Sequence, residues 1–148
     1  MSPAAHPALS DRQRAAFLGH PAPVDLPRGE HLYKIVSVPV IRDRVLESPW
    51  WIRERTFDDL RERAKRLQRP LKELVRAQLA ITSEWNPGMD ILWIVVLGAP
   101  VKAWEGRARS QRVVGGDASA AFIGGGRQVC VPQIQWRQIA RDYSAHGF

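Results

Sequence analysis

The order of elements along the chain predicts an α+β fold. A seven-residue apolar run at residues 91–97 has the length of one strand, and shorter strand-like stretches follow it. Ahead of it come a strand-like stretch from residue 31 and a charged region whose apolar residues recur at helical spacing. Short helix, strand, two helices and then several strands is the pattern of folds with strands gathered late in the chain.

The first thirty residues read as an arm with one short helix. Pro3, Pro7, Pro21, Pro23 and Pro27 punctuate it, and each proline removes a backbone donor. Ser10 is placed to cap a helix, with Gln13 completing a capping box. Gly19 is placed to end that helix. Ala15, Phe17 and Leu18 would pin the arm to the main body.

Residues 31–40 carry Leu32, Ile35, Val36, Val38 and Val40, the apolar and β-branched content of a strand. The aromatic segment Ser48-Pro49-Trp50-Trp51-Ile52 follows. Thr56 is then a suitable cap for a helix, with Asp58 and Asp59 near its positive end. Phe57, Leu60, Ala64 and Leu67 recur every three or four residues and share one face. Pro70 opens a second helix, in which Leu71, Leu74, Val75 and Leu79 continue the period until Asn86-Pro87-Gly88 turns the chain.

The unbroken run at 91–97 predicts a central strand buried on both faces. Gly98-Ala99-Pro100 makes a turn, and Val101-Lys102-Ala103-Trp104 alternates like a half-buried strand. Gly115-Gly116-Asp117 reads as another turn, and Gly124-Gly125-Gly126 leads into a strand over residues 128–131. Residues 134–143 suit either a helix or a strand. The expected organisation is an N-terminal arm over residues 1–29 and a single domain over residues 30–148.

Composition narrows the class. A chain of 148 residues has the size of one domain and buries roughly two-thirds of its unfolded surface. It needs no staple, and the single Cys130 permits neither an intrachain disulfide nor a cysteine-rich zinc site. His6, His20, His31 and His146 are too scattered for a helical zinc pair, so no metal is expected. Between valines, Cys130 reads as a small buried hydrophobe. No apolar run approaches the ~20 residues of a membrane span. The residues before Asp25 lack the apolar core of a secretory signal. Met followed by Ser-Pro-Ala-Ala also suits the start of an excised domain. The net charge of +7 favours phosphate-bearing ligands, nucleic acid or anionic surfaces.

No loop ends in Gly-Lys-Ser/Thr, and the triple glycine precedes a strand instead of a helix, which excludes the two common nucleotide-binding loops. Three segments remain: residues 26–36 with Tyr33-Lys34, the Ser48-Pro49-Trp50-Trp51 stretch, and Gly124-Gly125-Gly126-Arg127-Gln128-Val129-Cys130-Val131-Pro132. Together they resemble the ADP-ribosyltransferase-like superfamily of bacterial toxins and NAD glycohydrolases. In that superfamily a first strand carries Tyr-Arg or His, a serine or aromatic element follows, and a late strand holds a catalytic Glu or Gln. Tyr33-Lys34 looks like the first element, with lysine in the place of arginine, and Gln128 looks like the last. The Gly-Gly-Gly-x-Gln run is similar to that of the tuberculosis necrotizing toxin group, whose members hydrolyse NAD. The resemblance spans about residues 26 to 136.

The resemblance implies a core of two packed small β-sheets with helices inserted after the first strands. It implies NAD as substrate, cleaved at the nicotinamide–ribose bond, with ADP-ribose passed to water or to a macromolecular acceptor, protein or nucleic acid. A toxin or effector of this kind implies action in the cytoplasm, a target cell's included, and a neutralising immunity or antitoxin protein as partner. By resemblance, Gln128 holds the ribose, Ser48 is a further catalytic candidate and Tyr33 and Lys34 bind NAD; beside them, Glu84 is the best remaining catalytic carboxylate, Trp50, Trp51 or Trp85 suit stacking on nicotinamide or adenine, and Arg28 or Arg107 suit helping Lys34 hold the diphosphate. The paired glutamates of the transferases are absent, because Gly126 and Gln128 occupy those places. A glutamine amide can hydrogen-bond a ribose hydroxyl but cannot act as a general base. That favours hydrolysis, whereas the basic charge favours a nucleic-acid acceptor.

Each assignment has a plainer alternative. Tyr33, Lys34 and Gln128 are also ordinary strand residues, Ser48 a turn residue before proline, Trp50 and Trp51 core, and Arg107 a surface charge. The competing function is a non-catalytic basic module that binds nucleic acid, its six tryptophans stacking on bases.

Overall fold

A computed structural model of the chain describes residues 6–37, 41–78, 91–109, 111–112, 121–122 and 126–146. Their order is α1 (Asp11–Ala15), β1 (Phe17–Leu26), β2 (His31–Val36), β3 (Trp50–Arg53), α2 (Glu54–Leu67), α3 (Leu71–Gln78), β4 (Ile91–Leu97), β5 (Val101–Ala108), β6 (Gln111–Arg112), β7 (Ala121–Phe122), β8 (Arg127–Cys130) and β9 (Ile139–His146). The fold is mixed α/β, dominated by a seven-stranded sheet in the order β1-β5-β8-β3-β2-β4-β9. Every strand pairing in it is antiparallel. No helix among the described residues is long and apolar enough to cross a membrane.

The N-terminal stretch departs from its reading as an arm with a single helix. The capping box forms, with Ser10 Oγ accepting from Gln13 N and the Gln13 side chain from Ser10 N. The helix stops at Ala15, however, and Gly19 lies inside strand β1 instead of ending a helix. Prolines concealed this strand, yet β1 is an edge that pairs only with β5, where a missing donor is tolerated. Its register shifts between Leu18 and Ala22, and Gly19 supplies the positive φ of 75° there.

Smaller differences have local causes. α2 begins at Glu54, two residues before the expected cap Thr56. β3 runs straight into it at Arg53, whose guanidinium is held bidentately by Glu30 at 2.6 and 2.9 Å. Phe57, Leu60 and Ala64 are buried as their spacing predicts, but Leu67 is exposed, because the helix ends there and the chain turns at left-handed Gln68. Strand β2 ends at Val36, short of residue 40. Residues 134–143 resolve into a 3-10 turn, Trp136–Gln138, and the edge strand β9. The expected turns at 86–88 and 115–117 lie outside the described residues.

The sheet bends around its largest core. That cluster joins Leu26, Val101, Ala103 and Val129 to Leu32, Trp51, Val95 and Leu97. β5 and β4 have three strands between them in the order, so they share a core only if the sheet curls. As expected, β4 is covered on both faces, with Trp93 alone half-buried. On the opposite face, α2 and α3 cover the β2–β4 end through Ile35, Ile52, Phe57, Leu60, Val75, Leu92 and Ile94. The N-terminal segment covers the other end through Leu9, Phe17 and Cys130, with Trp50 and Trp104 packed alongside.

Gly106 sets how closely that segment approaches. A Cβ at this position would lie 2.8 Å from Phe17 Cδ1 and 3.3 Å from Pro21 Cα. Phe17 is fully buried and cannot swing away. Gly106→Ala is therefore expected to destabilise the chain by about 1–3 kcal/mol. Urea unfolding followed by tryptophan fluorescence checks this, and an unchanged midpoint would contradict the packing described.

Candidate functional site

Strand β3 divides its pairing. Trp50 and Trp51 pair with Cys130 and Val129 of β8, whereas Ile52 and Arg53 pair with Tyr33 and Leu32 of β2. Past Tyr33 the β2–β3 ladder stops, so β2 diverges from the chain leading into β3. The fork also lies between the two helical covers of that face. A cavity of about 780 Å³ occupies it, within the usual size range of small-molecule sites. Its walls are residues 33–37 of β2 and the turn after it, residues 48–52, Gln128 of β8, Val75 of α3, part of α1, and Arg109.

Tyr33, Lys34, Ser48, Trp50, Trp51 and Gln128 all line this one cleft, though they come from three distant segments. Tyr33 stacks flat on Phe57, with centroids 4.1 Å apart and planes 3° from parallel. Burial and the nearby Glu54 and Asp58 carboxylates raise its pKa. Trp50 is half-buried and packs edge-on against Phe17 at 5.3 Å. Gln128 is buried, and its Nε2 donates to Ala16 O at 3.2 Å. Trp51 is only 1% exposed and belongs to the main core, with no hydrogen-bond partner for its indole nitrogen among the described residues.

Lys34 is placed differently from a phosphate ligand. Alternation along β2 puts it on the face of Leu32, and its cross-strand partner is Trp93. Its ammonium donates to Val45 O at 2.7 Å and Ser48 O at 2.5 Å, and sits 4.0 Å from the centroid of the Trp51 ring. Burial lowers its pKa to about 7. The lysine thus braces the turn that carries Ser48, because a long side chain on a doubly covered strand must bring its charge to local acceptors. The expected grip on an NAD diphosphate is not the task its geometry serves.

Arg107, on the same face of β5 as Ala103 and Glu105, is exposed and does not line the cleft. Arg109, the first residue beyond that strand, does. Arg28 is exposed and also stands apart from it. Glu84 and Trp85 lie outside the described residues. Cys130 is fully buried, and desolvation pushes its thiol up to about 12, which keeps it protonated at neutral pH.

Three contributors escaped the sequence: Arg12 and Gln13 of α1, and Arg109. The capping box marks the helix but not where it docks. Docking is set by Ala16 O, which accepts both from Gln128 Nε2 and from Arg109 N at 3.0 Å. One carbonyl therefore ties α1 to β8 and to the end of β5.

No protein-family model and no curated protein sequence matches the chain. A solved structure of Tne2 in complex with Tni2 matches its fold with a TM-score of 0.51 and 16% sequence identity, over 84% of this chain and 90% of the other.

Proposed function

We propose that the cleft binds NAD and cleaves its nicotinamide–ribose bond, with water as the acceptor and ADP-ribose as product. The observation that carries this reading is the convergence of Tyr33, Ser48, Trp50 and Gln128 on one cleft at the fork of the sheet. These are the residues through which the sequence resembles the ADP-ribosyltransferase-like superfamily. The curled sheet, whose two halves share a core at β3, supports the two-sheet form of that superfamily. The fold likeness to Tne2, solved in complex with Tni2, supports a partner protein that binds this chain; that the chain is a toxin or effector acting in the cytoplasm, neutralised by that partner, follows from the superfamily resemblance.

The chemistry asks mainly for positioning. Breaking the bond to a neutral nicotinamide leaves an oxocarbenium-like ribose, so the protein must fix the ring, orient the ribose and keep the charge in place. Tyr33, stacked on Phe57, and Trp50, braced by Phe17, form aromatic walls for nicotinamide. Gln128 offers its amide to a ribose hydroxyl. Lys34 acts from beneath the floor by fixing the turn of Ser48. Water adds at the anomeric carbon as nicotinamide leaves, giving ADP-ribose, nicotinamide and a proton.

Chromatography of NAD incubated with the purified chain tests this. Nicotinamide and ADP-ribose in equal amounts are expected. Nicotinamide with labelled ADP-ribose fixed on protein or nucleic acid would make the acceptor a macromolecule. No nicotinamide release, with or without cell extract, would overturn the reading, and salt-sensitive RNA or DNA binding alongside it would select the basic binding module.

A further inference from the structure

We infer that Glu105 of β5 is a positioning residue for Gln128, holding the end of β8 against β3 where the two strands part; this rests on the cleft being the reacting site. Trp50 and Trp51 of β3 face Cys130 and Val129 across the β3–β8 ladder. The same register, continued, would set Ile52 against Gln128 and Arg53 against Arg127. Instead Ile52 and Arg53 pair with β2. Among the described residues Gln128 therefore has a ladder partner on β5 alone, and that partner is Gly106. Beyond its bond to Ala16 O, neither a second ladder nor a cross-strand side chain fixes the residue assigned to the ribose.

Ion pairs close the gap from behind. Side chains alternate along a strand, so Arg127 shares the face of Val129, Arg53 that of Trp51 and Glu105 that of Ala103, which is the face of the main core. Glu105 lies between the two arginines: its Oε2 is 3.7 Å from Arg53 Nη1 and its Oε1 is 3.6 Å from Arg127 Nη1. Arg53 is in turn gripped by Glu30, just ahead of β2. The chain Glu30–Arg53–Glu105–Arg127 thus runs over the neighbouring strands β2, β3, β8 and β5. Two acids balance two bases, so the cluster is complete without a ligand. Such pairs add little to stability, because desolvation and solvent screening offset their attraction. What they fix is geometry. One carboxylate shared by arginines on both sides of the gap sets its width, and that width places Gln128 relative to Trp50 and Tyr33.

Glu105→Met removes the carboxylate at similar volume. It leaves no bare buried charge, since Arg53 keeps Glu30 and the Arg127 side chain is 59% exposed. In nicotinamide release it should lower kcat about tenfold and leave KM within about twofold, because a misplaced group acts on orientation at the reacting centre. Arg127→Met breaks the same bridge from its exposed end and should reproduce the loss. In a Gln128→Leu background Glu105→Met should cost less than about twofold further, because residues that act through one another are not additive. A full tenfold loss in that background, or an unchanged kcat in both single variants, would overturn the role in the reaction. The side-chain amide signals of Gln128 in a nitrogen–proton NMR spectrum, assigned by their loss in Gln128→Leu, give a readout that needs no turnover. They should shift in Glu105→Met and stay in place in Glu62→Met, which removes an exposed pair with Lys65 on α2. Unmoved signals in Glu105→Met would overturn the positioning whatever the turnover. Shifted signals in a chain that releases no nicotinamide would keep Glu105 as the residue that positions Gln128 and overturn the NAD reading.

Discussion

Gln128→Leu should lower the rate of nicotinamide release by about a hundredfold or more while leaving the chain folded. Leucine nearly preserves the volume of the side chain, so the buried position on β8 stays filled. What disappears is the amide. A lost hydrogen bond to the reacting sugar costs on the order of 10²–10³ in rate, by analogy with other oriented donors. The structural cost is smaller. Ala16 O loses the Gln128 donor but keeps the Arg109 N–H, so α1 stays tethered and about 1 kcal/mol of stability is at stake. Kinetics and urea unfolding of the same preparation separate the two effects. Full activity in Gln128→Leu would remove Gln128 from the reacting site and leave it as the anchor of α1. Collapse of both activity and stability would mean that the tether is the larger role.

Legibility in the sequence followed the range of the interactions involved. The strand Ile91–Leu97 was plain because a seven-residue apolar run is a local signal, and so was the start of α1, whose cap is closed by Ser10 and Gln13. Strand β1 was hidden because Pro21 and Pro23 argue locally against a strand, and only its place at the sheet edge makes them harmless. The cleft was partly legible for the same reason. Tyr33, Trp50 and Gln128 stand at short strands bounded by turn residues, so each could be singled out, but their meeting depends on β3 changing partners midway. The docking of α1 at the end of β5, where Arg109 N donates to Ala16 O, brings Arg109 and not Arg107 to the cleft, and that docking is not written in either residue's neighbours. Lys34 shows a signal that was present and could have been used. It alternates with Leu32 and Val36 on a strand of apolar and β-branched residues, a pattern from which an ammonium held inside the protein could have been inferred.

That burial gives the second large effect: folding stability should rise as pH increases from about 7, and Lys34→Met should abolish the rise. The sign follows from the proton balance. Lys34 falls from an ordinary value of 10.5 to about 7 because burial desolvates its charge. Well below pH 7 it is protonated in both folded and unfolded chains, and the folded state carries the whole cost of the buried charge. Between 7 and 10.5 the unfolded chain holds a proton that the folded chain has released, so raising pH favours folding. At about 1.4 kcal/mol per pH unit of full slope, the gain between pH 7 and pH 9 comes to roughly 2 kcal/mol. Two groups pull the other way at higher pH. Cys130, raised from 9.0 to about 12, favours unfolding above about pH 9, and the raised Tyr33 does so above about 10. The window from 7 to 9 therefore belongs to Lys34 among the shifted groups. The ammonium is opposed by desolvation but aided by Val45 O, Ser48 O and the Trp51 ring. A flat profile in the parent chain would mean that these three contacts hold the proton, whereas a slope that persists in Lys34→Met would place its origin elsewhere. Methionine fills the same slot without charge, but it leaves Val45 O without that donor, so the variant's absolute stability is a poor guide and its pH slope is the quantity to read.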